Sequence, residues 1–250
     1  MPTEIAVTLG PACREQSVLE AMIRAGARYF RLNFSQDSLK GFTRSVTTLR
    51  QAAQAVGTEV SIMGDLCGPR FRIGPMQEPR VTLNTGYSLR VVPGDVPGTA
   101  QALSTNYDHF QDDVCPEDRV LIDEGRIQLQ VEIKDADGVT CTVVRGGDLA
   151  AGKGINLPDT HISVPPLTDQ DRVCIAWAIE TKIDMLLMSF VHQAGDLDLL
   201  REAIGSADIE VVAKIETLQA TGDLEAIVAR SDRILIARGD PQRLRPRSGA

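Results

Sequence analysis

Six short apolar runs constrain the fold of this chain more than any other feature. EIAVTLG (4–10), RYFRLNF (28–34), EVSIMGD (59–65), IDMLLMSF (183–190), IEVVAKIE (209–216) and RILIARG (233–239) are each apolar through their middles. Parallel strands covered on both faces need that pattern, whereas half-exposed strands alternate. Helix-sized segments separate most of the runs. The spacing predicts helices over 14–25, 38–56, 169–181, 195–204 and 219–229. Gly26 and Gly57 stop the first two, and Thr168 with Asp171 forms a capping pair opening the third. The expected buried stripes are Val18, Leu19, Met22 and Ile23 on the first helix and Phe42, Val46, Leu49 and Ala53 on the second. On the third they are Val173, Ala176 and Trp177. Repetition of this kind gives a doubly wound open sheet or a (β/α) barrel, and periodicity does not separate the two.

The rhythm breaks after Pro75. Residues 75–159 hold only short β-type runs (RVTLN, SLRVV, RVLIDEG, RIQLQVEI, VTCTVV) punctuated by Gly, Pro and Asp, with no helical stripe. The expected organisation is therefore an α/β domain in two parts, 1–74 and 160–240, around an inserted all-β domain at 75–159. Residues 241–250 form a tail without strand or helix pattern. The six βα units fall two short of a closed eightfold barrel.

Composition narrows the partners. A net charge of -8 disfavours nucleic acid, which needs a basic face. No stretch approaches eighteen apolar residues, and MPTEIAVTLG is no secretory signal, so neither a membrane span nor export is expected. Five scattered cysteines without a CxxC fit a reducing cytoplasm, with no structural zinc and the thiols acting as small core side chains. His109, His161 and His192 form no evident catalytic pair.

Candidate chemistry lies at the ends of the runs. The second ends RLNFS, with Arg31 and Asn33 on one face and Ser35 just beyond. The third ends at Asp65 and continues LCGPRFRIG, carrying Arg70 and Arg72. The fifth ends Lys214-Ile-Glu216, with lysine and glutamate on one face, and the sixth ends Arg238-Gly239-Asp240. In a barrel, Glu216 and Asp240 from adjacent strand ends suit a hard cation, magnesium or manganese. A lysine and several arginines around it suit a phosphorylated substrate, so the set points to phosphoryl transfer.

At these residues the chain resembles the pyruvate kinase family. TLGPAC, RLNFS, DLCGPRFRIG, VLIDEGRIQLQV, KGINLPDTHISVPPLTDQD, MLLMSFVHQAGDL, VVAKIE and ILIARGD follow the family's order from residue 4 to 240. The resemblance implies a TIM (β/α) barrel, incomplete at about six βα units, with an inserted small β-barrel lid domain. It implies transfer of the phosphoryl group of phosphoenolpyruvate to ADP, giving pyruvate and ATP in glycolysis. Lys214 would then stabilise the moving phosphoryl group and Arg31 contact it. Glu216 and Asp240 would hold Mg2+ or Mn2+, while the N–H groups of Gly239 and Asp240 receive the substrate carboxylate. Arg72 would meet the nucleotide phosphates, and Asn33, Ser35 and Asp65 would line the monovalent-cation region.

Two departures stand out. Potassium-dependent members carry Thr, Lys and Glu where this chain has Leu66, Cys67 and Arg70. The sequence is closer to potassium-independent members, because a fixed guanidinium replaces a bound monovalent cation. Family members also continue from ARGD into L-G-x-E, two further strands with a threonine that assists the enolate, and a regulatory domain. Here Pro241 breaks the resemblance. A shifted reading frame, an engineered truncation and a short natural paralogue each account for the break. The competing expectation is an impaired fragment or paralogue that binds phosphoenolpyruvate, nucleotide or a partner chain, with self-association through the open barrel. A metal-dependent aldolase-like barrel is disfavoured by the β insert.

Overall fold

The computed structural model describes residues 3–236. β1 (Ile5–Thr8) leads through a short turn of 3-10 helix to α1 (Gln16–Arg24) and β2 (Ala27–Asn33). α2 (Leu39–Val56) and β3 (Ser61–Asp65) follow. α2 starts where the Ser38 hydroxyl accepts from Gly41 N and stops at Gly57, whose φ of 71° suits a residue without Cβ. Phe42, Val46, Leu49 and Ala52 make its buried stripe, with Ala52 rather than Ala53 as the fully buried alanine.

A second unit, built from Pro69–Pro165 with Glu216–Gly222, holds the β-rich segment. Its elements are β4 (Val81–Leu83), β5 (Ser88–Pro93), β6 (Ala102–Thr105), the one-turn α3 (Phe110–Asp113), β7 (Arg119–Ile122), β8 (Ile127–Asp135), β9 (Gly138–Arg145), β10 (Gly147–Leu149) and β11 (Ile155–Asn156). One sheet runs β11-β7-β8-β9-β5-β6, and β4 pairs separately with β10. α3 departs from the expected all-β reading. Four residues carry no readable stripe, and the turn forms because Phe110 is fully buried in the unit's core.

The first unit resumes with α4 (Asp169–Glu180), β12 (Met185–Met188), α5 (Ala194–Ile204) and β13 (Glu210–Ile215). After α6 (Leu218–Gly222) it closes with α7 (Leu224–Arg230) and β14 (Arg233–Ile236). The helix expected over 219–229 is thus two pieces. They part at Asp223, whose backbone leaves helical geometry (φ -115°, ψ 20°) and whose carboxylate accepts from Ala194 N at 2.7 Å. The capping box of Thr168 and Asp171 forms as expected, but α4 buries Cys174, Ile175, Trp177 and Ala178 while Val173 and Ala176 face outward.

The first unit's six strands pair in parallel in the order β1-β2-β3-β12-β13-β14. Sequential order without a reversal is the winding of a barrel and lacks the switch point of a doubly wound sheet. Curling is visible in the side chains: the Arg233 guanidinium of β14 lies 5.5 Å from the Tyr29 ring centre of β2, four places away in the sheet. Between them Met63, Met185, Leu187 and Val212 form an apolar layer. β12 is buried at all four positions, whereas β1 and β14, the ends of the sheet among the described residues, expose Ile5, Ile234 and Ile236. Those two strands depart from the expected double coverage.

The cysteines divide as well. Cys141 and Cys174 are buried, and burial pushes both thiols up, Cys141 to about 12. Cys115 is exposed and Cys13 and Cys67 are half-buried, because they sit in a loop, the 3-10 turn after β1 and a strand-end turn rather than in the core.

Candidate active site

Strand periodicity builds the site directly above the apolar layer. Side chains alternate, so the face that carries Tyr29, Met63, Leu187 and Val212 carries Arg31, Asp65, Ser189 and Lys214 two residues later. These four meet. The buried Asp65 carboxylate accepts from Arg31 Nε at 2.7 Å and from Arg31 Nη2 through the same oxygen, Oδ2. Its Oδ1 lies 3.3 Å from both Lys214 Nζ and Ser189 Oγ. Lys214 Nζ also donates to Ser189 Oγ at 2.6 Å, and Ser189 Oγ donates to Leu66 O at 2.7 Å. Arg31 Nη1 reaches Thr8 Oγ1 at 3.1 Å, so five adjacent strands contribute through Thr8, Arg31, Asp65, Ser189 and Lys214.

Within this network one buried carboxylate lies between two cations, so the network by itself carries a net positive charge. Burial strengthens its attraction for an anion relative to water. The fixed ammonium and guanidinium need no reorganisation to receive phosphoryl oxygens.

Other predicted residues are placed as follows. Asn33 sits opposite Asp65 in the β2–β3 register, and its Oδ1 accepts from Ser35 N at 3.2 Å and Ser35 Oγ at 2.8 Å. Glu216 is buried just beyond β13. Gly239 and Asp240 lie outside the described residues. Among those residues no group of three or more His, Cys, Asp or Glu forms a metal cluster. Arg70 and Arg72 belong to the second unit and are exposed. Arg72 Nη1 donates to Gly152 O at 2.7 Å, and its backbone bridges to Gly154, next to Lys153, whose ammonium pairs with Asp123 at 2.8 Å.

Sequence reasoning missed Ser189 and the second task of Asp171. The period-2 rule applied to MLLMSF would have found Ser189, in phase with Met185 and Leu187. Asp171 does more than cap α4: its Oδ1 accepts from Cys67 N at 2.9 Å and Gly68 N at 3.4 Å, holding the turn after Asp65. No local pattern links residues a hundred positions apart.

A family model described as pyruvate kinase, barrel domain, matches residues 1–242. The chain belongs to the pyruvate kinase family. It is 34% identical over 239 residues to a pyruvate kinase of Mycobacterium tuberculosis, covering 95% of this chain and 51% of that protein. A Geobacillus stearothermophilus pyruvate kinase is 33% identical over 243 residues, with 95% of this chain and 41% of that protein covered. The crystal structure of a pyruvate kinase from Cryptosporidium parvum superposes with a TM-score of 0.91 at 28% identity, covering 98% of this chain and 52% of that one. The chain spans about half the length of the pyruvate kinases it matches. No described helix is long and apolar enough to cross a membrane.

Proposed function

We propose that this chain carries the pyruvate kinase reaction, phosphoryl transfer from phosphoenolpyruvate to ADP giving pyruvate and ATP, as a cytoplasmic step of glycolysis. The observation that carries the reading is the Arg31–Asp65–Ser189–Lys214 network at the strand ends. In the loose transition state of phosphoryl transfer, negative charge spreads over the phosphoryl oxygens. Lys214, aimed by Ser189 and Asp65, meets that charge, and Arg31 holds the same group from the neighbouring strand. The oxygen donors of Glu216 and Asp240 suit a hard divalent cation, which when bound would neutralise substrate oxygens. Gly239 and Asp240 would offer N–H groups to the substrate carboxylate. Arg72, with Lys153 beside it, would bind nucleotide phosphates, and residues 75–159 would act as a lid that excludes water.

Potassium is not required in this reading. Asn33, Ser35 and Asp65 line the region where other family members hold it. Here the Asp65 oxygens already serve Arg31, Lys214 and Ser189, and Leu66, Cys67 and Arg70 replace the potassium-dependent pattern.

The relatives' length makes ligand binding and turnover separate propositions, and the alternative is a chain that binds phosphoenolpyruvate or nucleotide without turnover. Pyruvate formation by the purified chain with magnesium, phosphoenolpyruvate and ADP, in sodium and in potassium, decides between them beside Glu216→Ala. The expected result is ADP-dependent pyruvate release, lost in Glu216→Ala and not strongly raised by potassium. A folded sample that binds phosphoenolpyruvate yet releases no pyruvate would establish the alternative.

A further inference from the structure

Asn106 stands just beyond β6, exposed, and is tied three times to one tripeptide of the chain. Its backbone N–H donates to Arg72 O at 3.2 Å. Its side chain accepts from Arg72 N through Oδ1 at 2.7 Å and donates from Nδ2 to Arg70 O at 3.1 Å. On the opposite edge, Phe71 O accepts from Ile155 N, and the N–H of Ile73, the residue after the tripeptide, donates to Lys153 O, each at 2.8 Å. The asparagine amide thus completes, on the second edge, a ladder that the 153–155 segment begins on the first.

The middle residue is fixed independently. Phe71 stacks on Tyr107, with ring centres 3.8 Å apart and planes 22° apart. Tyr107 is held in turn by Asp113, which accepts its hydroxyl and also accepts from Ser163 N at 2.8 Å. With Phe71 committed to one side of an extended tripeptide, Arg70 and Arg72 share the other.

We propose that Asn106 is a positioning residue for a nucleoside diphosphate: it locks the backbone that presents Arg70 and Arg72 as a pair, so both guanidiniums engage one diphosphate group. The inference rests on the reading of Arg72 as a nucleotide-phosphate ligand. Two long exposed side chains lose rotamer freedom on binding, and a backbone already held adds no ordering cost of its own. Asn106 contacts no ligand in this account and acts through the two arginines.

Calorimetric titration of the 250-residue chain with ADP and, separately, with phosphoenolpyruvate tests it, using Asn106→Ala, Asn106→Asp and Arg72→Ala. Loss of the two side-chain anchors on the main chain is expected to weaken ADP about three- to tenfold in Asn106→Ala. Asn106→Asp keeps the acceptor for Arg72 N but not the donor to Arg70 O, so it should fall between that variant and the parent. Phosphoenolpyruvate affinity and thermal midpoint should stay at parental values in both. Parental ADP affinity in Asn106→Ala, alongside loss in Arg72→Ala, would overturn the positioning role and leave the nucleotide reading intact. Equal weakening of ADP, phosphoenolpyruvate and thermal midpoint would overturn it in favour of a general structural role. A parent chain that binds phosphoenolpyruvate but not ADP would overturn both.

Discussion

Ser189 shows how a single hydroxyl sets the position of a charged neighbour. It accepts from Lys214 Nζ and donates to Leu66 O, so it fixes the ammonium relative to Asp65. Hydrogen bonds to charged groups contribute about 1.5–3 kcal/mol, which corresponds to roughly ten- to a hundredfold in rate if the aim of Lys214 matters most in the transition state. In the proposed reaction Ser189→Ala is therefore expected to lower kcat by that factor with a small change in phosphoenolpyruvate affinity, and unchanged turnover would remove Ser189 from that proposal. Asp113 gives a pH prediction. Burial pushes its carboxyl up, but the Tyr107 hydroxyl and the Ser163 amide outweigh burial and hold it below its ordinary value of 3.8. The folded state thus binds the proton more weakly than the unfolded chain. The resulting stabilisation is complete above the ordinary value and disappears as pH falls through it toward the depressed one. Denaturation curves across that window should fall more steeply for the parent than for Asp113→Asn; parallel curves would refute the assignment. Lys214, Arg31 and Asp65 were legible because polar residues at the ends of apolar runs stand out. Ser189 was overlooked because serine at a strand end is common, and its meaning comes from a lysine on the next strand.

At the scale of elements, Asp171 joins a helix start to a strand end. Its two oxygens accept from Thr168 N and Thr168 Oγ on one side and from the Cys67 and Gly68 amides on the other. Removing a buried, fully used acceptor costs roughly 3 kcal/mol, since several donors lose their partner at once. Asp171→Ala should lower stability by about that amount in urea titration. It should also speed hydrogen exchange at the Cys67 and Gly68 amides. Exchange unchanged at those two amides would confine Asp171 to helix capping. The capping box and the Gly57 stop could be read locally, because caps are satisfied within four residues. The inward face of α4 could not. Its apolar residues surround much of the helix, and the chosen face follows from the aromatic neighbours Phe34 and Phe42, whose rings meet Trp177 at 5.7 and 6.3 Å. The break between α6 and α7 lies at Asp223, whose carboxylate holds the Ala194 amide twenty-nine residues away, a tie that no local pattern shows.

At the scale of the whole molecule, the first unit's sheet ends, among the described residues, in two strands whose isoleucines are open: Ile5 at 49%, Ile234 at 43% and Ile236 at 63% exposure. Exposed apolar edge strands favour pairing with another chain. The chain is expected to self-associate in sedimentation experiments, with Ile5→Lys and Ile236→Lys shifting it toward monomer; a monomer at every concentration would rule this out. The alternation of apolar runs with helix-sized segments was enough to predict an α/β fold with a β-rich interruption, because the central strands β3, β12 and β13 are buried almost throughout and their runs are apolar to match. Periodicity left open whether those strands wind as a barrel or reverse as a doubly wound sheet. Strand order decided that, and order is a property of pairing between segments. The same division holds for the site. The sequence by itself determined which residue types arrive at the strand ends. Only the tertiary structure decided that one buried carboxylate is shared by an arginine, a serine and a lysine from three other strands and strand ends, because curling of the sheet brings separate segments within hydrogen-bond reach.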